Sequence, residues 1–118
     1  MPGPAETYLP LSQVAYLILL SLSEGEKHGY AIIKDVEERT EGRVELEAGT
    51  LYAAIKRFRD DELIRETPGP EGTDARRRYY GLTELGRDIL TAESGRLAAL
   101  VKLAEEARVL PSRPTGLA

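Results

Sequence analysis

The chain has 118 residues, enough for one hydrophobic core and not comfortably for two. Its 16 Lys and Arg against 20 Asp and Glu leave a formal charge of −4, and 42% hydrophobic with 31% charged residues is the composition of a folded domain, which excludes a disordered or collagen-like chain. With no cysteine, disulfide staples, zinc–thiolate sites and thiol catalysis are excluded together, and the composition suits a reducing cytoplasm. The longest apolar run, Val14 to Leu20, is about a third of a bilayer span and has no basic leader, so a cytoplasmic chain with no membrane partner is expected. An acidic sum argues against nucleic acid, but the distribution matters more. Residues 24–47 carry 4 basic and 8 acidic side chains, whereas residues 48–82 carry 7 basic and 6 acidic, so positive charge gathers in the middle of the chain.

Residues 1–10 hold three prolines and read as a flexible arm. Ser12 offers a helix cap, and Val14, Ala15, Leu17, Ile18 and Leu22 fall on an apolar helical face, which predicts a first helix near 11–23 that is apolar nearly all round. After a polar turn at Ser23 to Lys27, a second helix runs from Gly29 to about Thr40, with Ile32 or Ile33 and Val36 inward, and Gly42 ends it. A short connection leads to a third helix near 48–62. Its Leu51, Ile55 and Phe58 form the buried stripe, while Gly49, Ala53, Lys56, Arg57 and Asp60 face the other way, with Thr50 and Tyr52 on the flanks. The period then changes. Leu63 to Thr67 and Arg76 to Thr83 read as two strands joined by a Pro- and Gly-rich loop, a hairpin that must lie against the helices to be stable.

Thr83 caps a last helix to about Arg108, roughly 39 Å long and more than this core can cover. Its Leu90, Leu97, Leu100, Val101, Ala104 and Ala107 approximate a heptad seam for the same helix of a second chain. The tail over 111–118 reads as unstructured.

The fold class is therefore mainly α with a small β-hairpin: a winged helix-turn-helix over 11–83 and a long dimerisation helix over 84–110. In such a unit the helix at 48–62 fills the major groove of double-stranded DNA, the preceding helix braces it, and the basic hairpin reaches neighbouring phosphates. The first-turn amides near Gly49 and Thr50 suit a phosphate, Lys56 and Arg57 extend the positive surface, and Gly49 and Ala53 leave room for close approach. Strand alternation would put Arg76 and Arg78 on one face and Arg77 on the other, so at least one of the three is expected to hold the hairpin to its own domain. Tyr30 and Tyr52 are further candidates for backbone contact, each with packing as the plainer alternative. Lys56, Arg57 and Arg59 could be an ordinary solvated face. Asp60, Asp61 and Glu62 oppose phosphate and are expected to point away from the duplex.

The strings "EGEKHGYAII" from Glu24 to Ile33, "GTLYAAIKRF" from Gly49 to Phe58, Leu63 with Ile64, and "RRRYYGLTELG" from Arg76 to Gly86 resemble the PadR family of bacterial transcriptional regulators. The resemblance spans roughly residues 11–90, and the single terminal helix is similar to the smaller subgroup. It implies a homodimeric repressor on a pseudo-palindromic operator, released by an effector that is often a small aromatic compound held near the dimer interface. Tyr16, Leu20, Leu97 and Val101 are the candidate walls of that site. The chain departs from the family pattern in Glu47, where a small hydroxyl cap is commoner, in Ala53, where proline is frequent, and in having no tryptophan.

His28 is the only histidine, and without cysteine or paired carboxylates around it helix entry or a hydrogen bond to a neighbouring element is the reading, not a metal or a catalytic base. No cofactor is expected, and no enzyme. The glycines at 69 and 72 lie in a hairpin turn, not at a strand-to-helix junction, and no acid, base or nucleophile is set in a pocket by spacing. The competing reading is a winged-helix module that binds protein or a small ligand without DNA, to which the net negative charge lends weight.

Overall fold

The computed structural model describes residues 5–72 and 76–111. Ser12 opens the first helix, α1 (Gln13–Leu22), by accepting a hydrogen bond from the Ala15 amide at 3.1 Å. Ala15, Ile18, Leu19 and Leu22 are buried, and α1 lies at the centre, packed against the second and fourth helices. The second helix, α2 (Gly29–Arg39), buries Ile32 and Val36 and leaves Ile33 half-buried. The third, α3 (Ala48–Asp60), buries Leu51, Ala54, Ile55 and Phe58. Phe58 is completely enclosed, so truncating it to alanine would remove about 3–5 kcal/mol.

Three strands follow the order β1-β3-β2, all antiparallel: β1 (Lys27–His28), β2 (Ile64–Thr67) and β3 (Tyr79–Leu82). The expected hairpin is β2 with β3, in the register Ile64 to Leu82 and Glu66 to Tyr80. The extra strand occupies part of the expected polar turn and the residue after it. Two residues carry no periodicity, so only the pairing of Lys27 with Tyr80 and His28 with Tyr79 reveals it. The strand expected over Arg76 to Thr83 is shorter at both ends. Arg76, Arg77 and Arg78 precede β3 and are all exposed, so alternation does not sort them into faces.

The fourth helix, α4 (Glu84–Glu106), is capped by Thr83, whose hydroxyl accepts from the Gly86 amide at 3.0 Å. A side chain at Gly86 would collide with the Leu63 carbonyl, so glycine lets α4 start hard against the sheet. Leu90, expected on the intersubunit seam, is buried in the core of the chain itself, because the first two turns of α4 still cover α1 and β3. The exposed apolar face begins later, with Leu100, Val101 and Leu103.

The arm expected over 1–10 is, in its described part, tied down. A 3-10 turn, Glu6–Tyr8, rests against α4, and the Tyr8 hydroxyl donates to Asp61 at 2.6 Å. The Leu11 amide donates to Glu93 at 2.8 Å. The first four residues, the loop residues 73–75 and the tail 112–118, including its expected lack of structure, lie outside the described residues.

Glu93 is a carboxylate only 1% exposed. It survives burial because Arg96 grips both its oxygens, at 2.5 and 3.0 Å, and Leu11 adds a backbone donor. The Arg96 hydrogen bonds, helped by Leu11 and opposed by burial, hold its pKa below the ordinary glutamate value. A depressed carboxylate pKa contributes stability above the unfolded pKa and loses it as pH falls through the folded value. Glu93→Gln is expected to be less stable than the parent at neutral pH, with the gap closing in acid below about pH 4; thermal unfolding of both across pH checks this.

Candidate nucleic-acid interface

β1 ends on His28, and the same residue caps α2: its Nδ1 accepts from the Ala31 amide at 3.2 Å. On the other side of the ring, Nε2 lies 3.0 Å from a terminal nitrogen of Arg77. Burial first, and then the Arg77 charge, push the His28 pKa below its usual value, so the ring is neutral at pH 7. Tyr79 meets the imidazole edge-on at 5.3 Å, and Tyr30 lies nearly parallel to it at 6.5 Å with Lys34 over its outer ring. Gly29 is glycine because α3 brings Tyr52 onto this spot, where any side chain would run into the Tyr52 hydroxyl. Together His28, Gly29, Tyr30, Tyr52, Tyr80 and the three wing arginines line a cleft of about 420 Å³ between the start of α2 and the wing.

A second cleft, of about 500 Å³, lies between the start of α1 and α3, and Gly49, Thr50, Ala53 and Arg57 line one side of it. Glu47 occupies the cap position of α3 without a side-chain cap bond. Such a start leaves first-turn amides open to an outside acceptor. Arg57 stacks over Phe58 and stands near Tyr8. Lys56 pairs with Asp60 at 3.0 Å on an exposed face, a contact of little energetic weight.

The predicted DNA-binding residues thus fall into two groups: Tyr30, Tyr52, Arg76, Arg77 and Arg78 around one cleft, and Gly49, Thr50, Ala53 and Arg57 along the other, with Lys56 on the exposed helix outside both. Among the wing arginines, Arg77 meets His28 and Arg78 meets Glu66 at 3.6 Å; Arg59 reaches the same carboxylate at 3.5 Å. Sequence reasoning gave no role to Glu66, which bridges α3 and the wing, and its place opposite Tyr80 is visible only in the strand register. Asp60, Asp61 and Glu62 are exposed, the first held by Lys56 and the second by Tyr8. Of the expected seam, Leu97 and Ala104 are half-buried and Leu100, Val101 and Ala107 exposed; Leu103, 60% exposed, was left out by the heptad count. Of the expected effector walls, Tyr16 has its hydroxyl bonded to Ser94 at 2.7 Å, Leu20 and Leu97 are half-buried, and Val101 is exposed.

The model of the transcriptional regulator PadR-like family matches residues 18–92. The chain belongs to that family. A PadR family transcription regulator from Clostridium difficile R20291 is 29% identical, with a TM-score of 0.67 over 80% of this chain and 97% of that one. Bacillus subtilis PadR, solved in complex with operator DNA, is 21% identical with a TM-score of 0.58, a likeness of fold; it covers 92% of this chain and 53% of that one. An uncharacterized 37.1 kDa protein in transposon TN4556 of Streptomyces fradiae is 36% identical over 84 residues, and this chain spans about a quarter of its length, 23%. The fold is that of PadR winged-helix regulators, a family of transcriptional regulators. No helix among the described residues is long and apolar enough to cross a membrane.

In this PadR-like chain the depressed pKa of His28 has a defined pH consequence. The unfolded chain takes up a proton on this ring at higher pH than the folded one, so the contribution is complete above about pH 6.5 and is lost as pH falls. Protonation also removes the Nδ1 lone pair that caps α2. His28→Asn, which keeps a cap acceptor that does not titrate, is expected to lose less stability than the parent between about pH 7.5 and 5.5, read by urea unfolding at each pH.

Proposed function

We propose that this PadR-like chain binds double-stranded DNA as a homodimer, α3 in the major groove and the β2–β3 wing on the adjacent backbone, and represses transcription from a pseudo-palindromic operator. The carrying observation is the convergence of Arg76, Arg77, Arg78, Tyr30 and Tyr52 on one cleft at the flank of α3, in a chain whose net charge is −4. Local cations rather than the net sum decide phosphate affinity. The operator complex of Bacillus subtilis PadR supports the reading through shared fold.

A second copy supplies the partner for α4. Leu100 and Leu103 are 50% and 60% exposed there, with Val101 beside them, and Leu97 and Ala104 extend the face. Ala107, one turn beyond Leu103, continues it, and two such helices would bury a stripe that neither covers alone. The dimer would set two reading helices about 34–36 Å apart, one turn of duplex. A small aromatic effector would sit between α1 and α4, near Tyr16, Leu20, Leu97 and Val101, and shift the spacing of the two halves. It would act as a regulator only by binding the free and DNA-bound forms unequally.

Binding to promoter DNA of its own locus is expected to weaken steeply with salt, and Lys56→Ala to weaken all sequences alike while flattening the log–log salt slope by about one unit, measured by fluorescence anisotropy. A salt-independent affinity would contradict the proposal. Leu103→Asp is expected to convert the dimer to a folded monomer in sedimentation equilibrium and to reduce operator affinity far more than affinity for a half-site.

A further inference from the structure

A neutral imidazole has one N–H and one lone pair. In His28 the lone pair is assigned by the helix cap: Nδ1 accepts from the Ala31 amide, which places the proton on Nε2. Yet Nε2 faces a terminal nitrogen of Arg77 at 3.0 Å, and a guanidinium can only donate. Donor therefore confronts donor across a hydrogen-bonding distance. The opposite tautomer would satisfy Arg77 and set an N–H against the Ala31 amide instead. The two contacts are not equivalent, because the amide is fixed in the first turn of α2 and partly buried, whereas Arg77 is exposed and water can serve it. The cap prevails, and two N–H groups are left facing each other in the lining of the cleft between α2 and the wing.

One kind of group resolves that conflict once the exposed guanidinium turns its N–H off the ring edge: an anionic oxygen that accepts from both. We propose that His28 Nε2–H and Arg77 form a clamp on a single phosphodiester of bound DNA. The shared chemistry is that of any phosphate oxyanion, and the surroundings favour a polymer over a free ion. Tyr52 of α3 and the neighbouring Arg76 and Arg78 line the same cleft, so it lies between reading helix and wing, where a DNA strand would pass. The depressed pKa of His28 agrees with a neutral donor. Its role is selective by geometry rather than charge: it holds Arg77 at the end of the wing in place once the phosphate arrives. The clamp rests on the DNA-binding reading above.

Because His28 is the only histidine, a long-range proton–nitrogen correlation spectrum contains a single imidazole. The free protein at neutral pH is expected to show the proton on Nε2. A mixed-sequence duplex of roughly three helical turns, added at low salt, is expected to shift that N–H downfield and slow its exchange, while inorganic phosphate at equal nucleotide concentration leaves it unchanged. His28→Asn keeps an acceptor for the Ala31 amide and removes the Nε2 donor; it and Arg77→Gln should each weaken duplex binding about tenfold, and the double variant by clearly less than the product. Should His28→Asn fail to fold, the spectrum and Arg77→Gln still decide. A proton on Nδ1, an Nε2–H signal untouched at duplex saturation, or additive losses would overturn the clamp, and a shift produced equally by inorganic phosphate would overturn its assignment to DNA. If the unaltered protein binds no duplex at any salt, the DNA-binding reading itself fails, which the first titration reveals before any variant is made.

Discussion

The burial of Leu51, Ala54, Ile55 and Phe58 fixes α3 about its own axis, and every outward residue of that helix takes its direction from this constraint. With those four side chains seated, Gly49, Thr50, Ala53, Lys56 and Arg57 must face out, and Tyr52 must swing to the side where α2 begins. The rest of the candidate interface is hung on that orientation. Glu66 receives Arg59 from α3 and Arg78 from the wing, so the sheet is referenced to α3 by opposite charge as well as by packing. Exposed pairs of this kind add little to stability, but they restrict where two long cations can reach.

In an acidic chain, cations stay available to an outside anion only if the carboxylates beside them are occupied. Asp60 is held by Lys56 and Asp61 by Tyr8, Glu93 is buried under Arg96, and Glu66 is shared between two arginines. Asp60 and Glu66, which stand among the cations of α3 and the wing, are thus answered within the chain, so the formal sum is a poor guide to the local field.

Much of this was legible in the residues. The spacing of Leu51, Ile55 and Phe58, the hydroxyl caps Ser12 and Thr83, and the change of period after residue 62 announce three helices, two strands and a long final helix, because each is a local signal repeated over several residues. The misses have the opposite character. β1 is two residues long and exists only through its pairing with β3, Leu90 is claimed by the core because α4 starts so close to Leu63, and the segment before α1 is secured by Asp61 and Glu93, more than fifty and eighty residues away. No window along the chain contains both partners of such contacts. His28 was readable as a helix entrance from its place before Gly29, but its second contact, with Arg77, joins residues 49 apart.

The short run from Tyr8 to Leu11 grips two distant helices at once, α3 just past its last residue through Asp61 and α4 at mid-length through Glu93. Four residues of backbone have almost no slack, so the run, with Tyr8, Leu9 and Leu11 packed against the core, behaves as a tie-rod. A tilt of α4 would reach the tail of α3 by this run as well as by Thr83, which donates to the Glu62 and Leu63 carbonyls just past the end of α3.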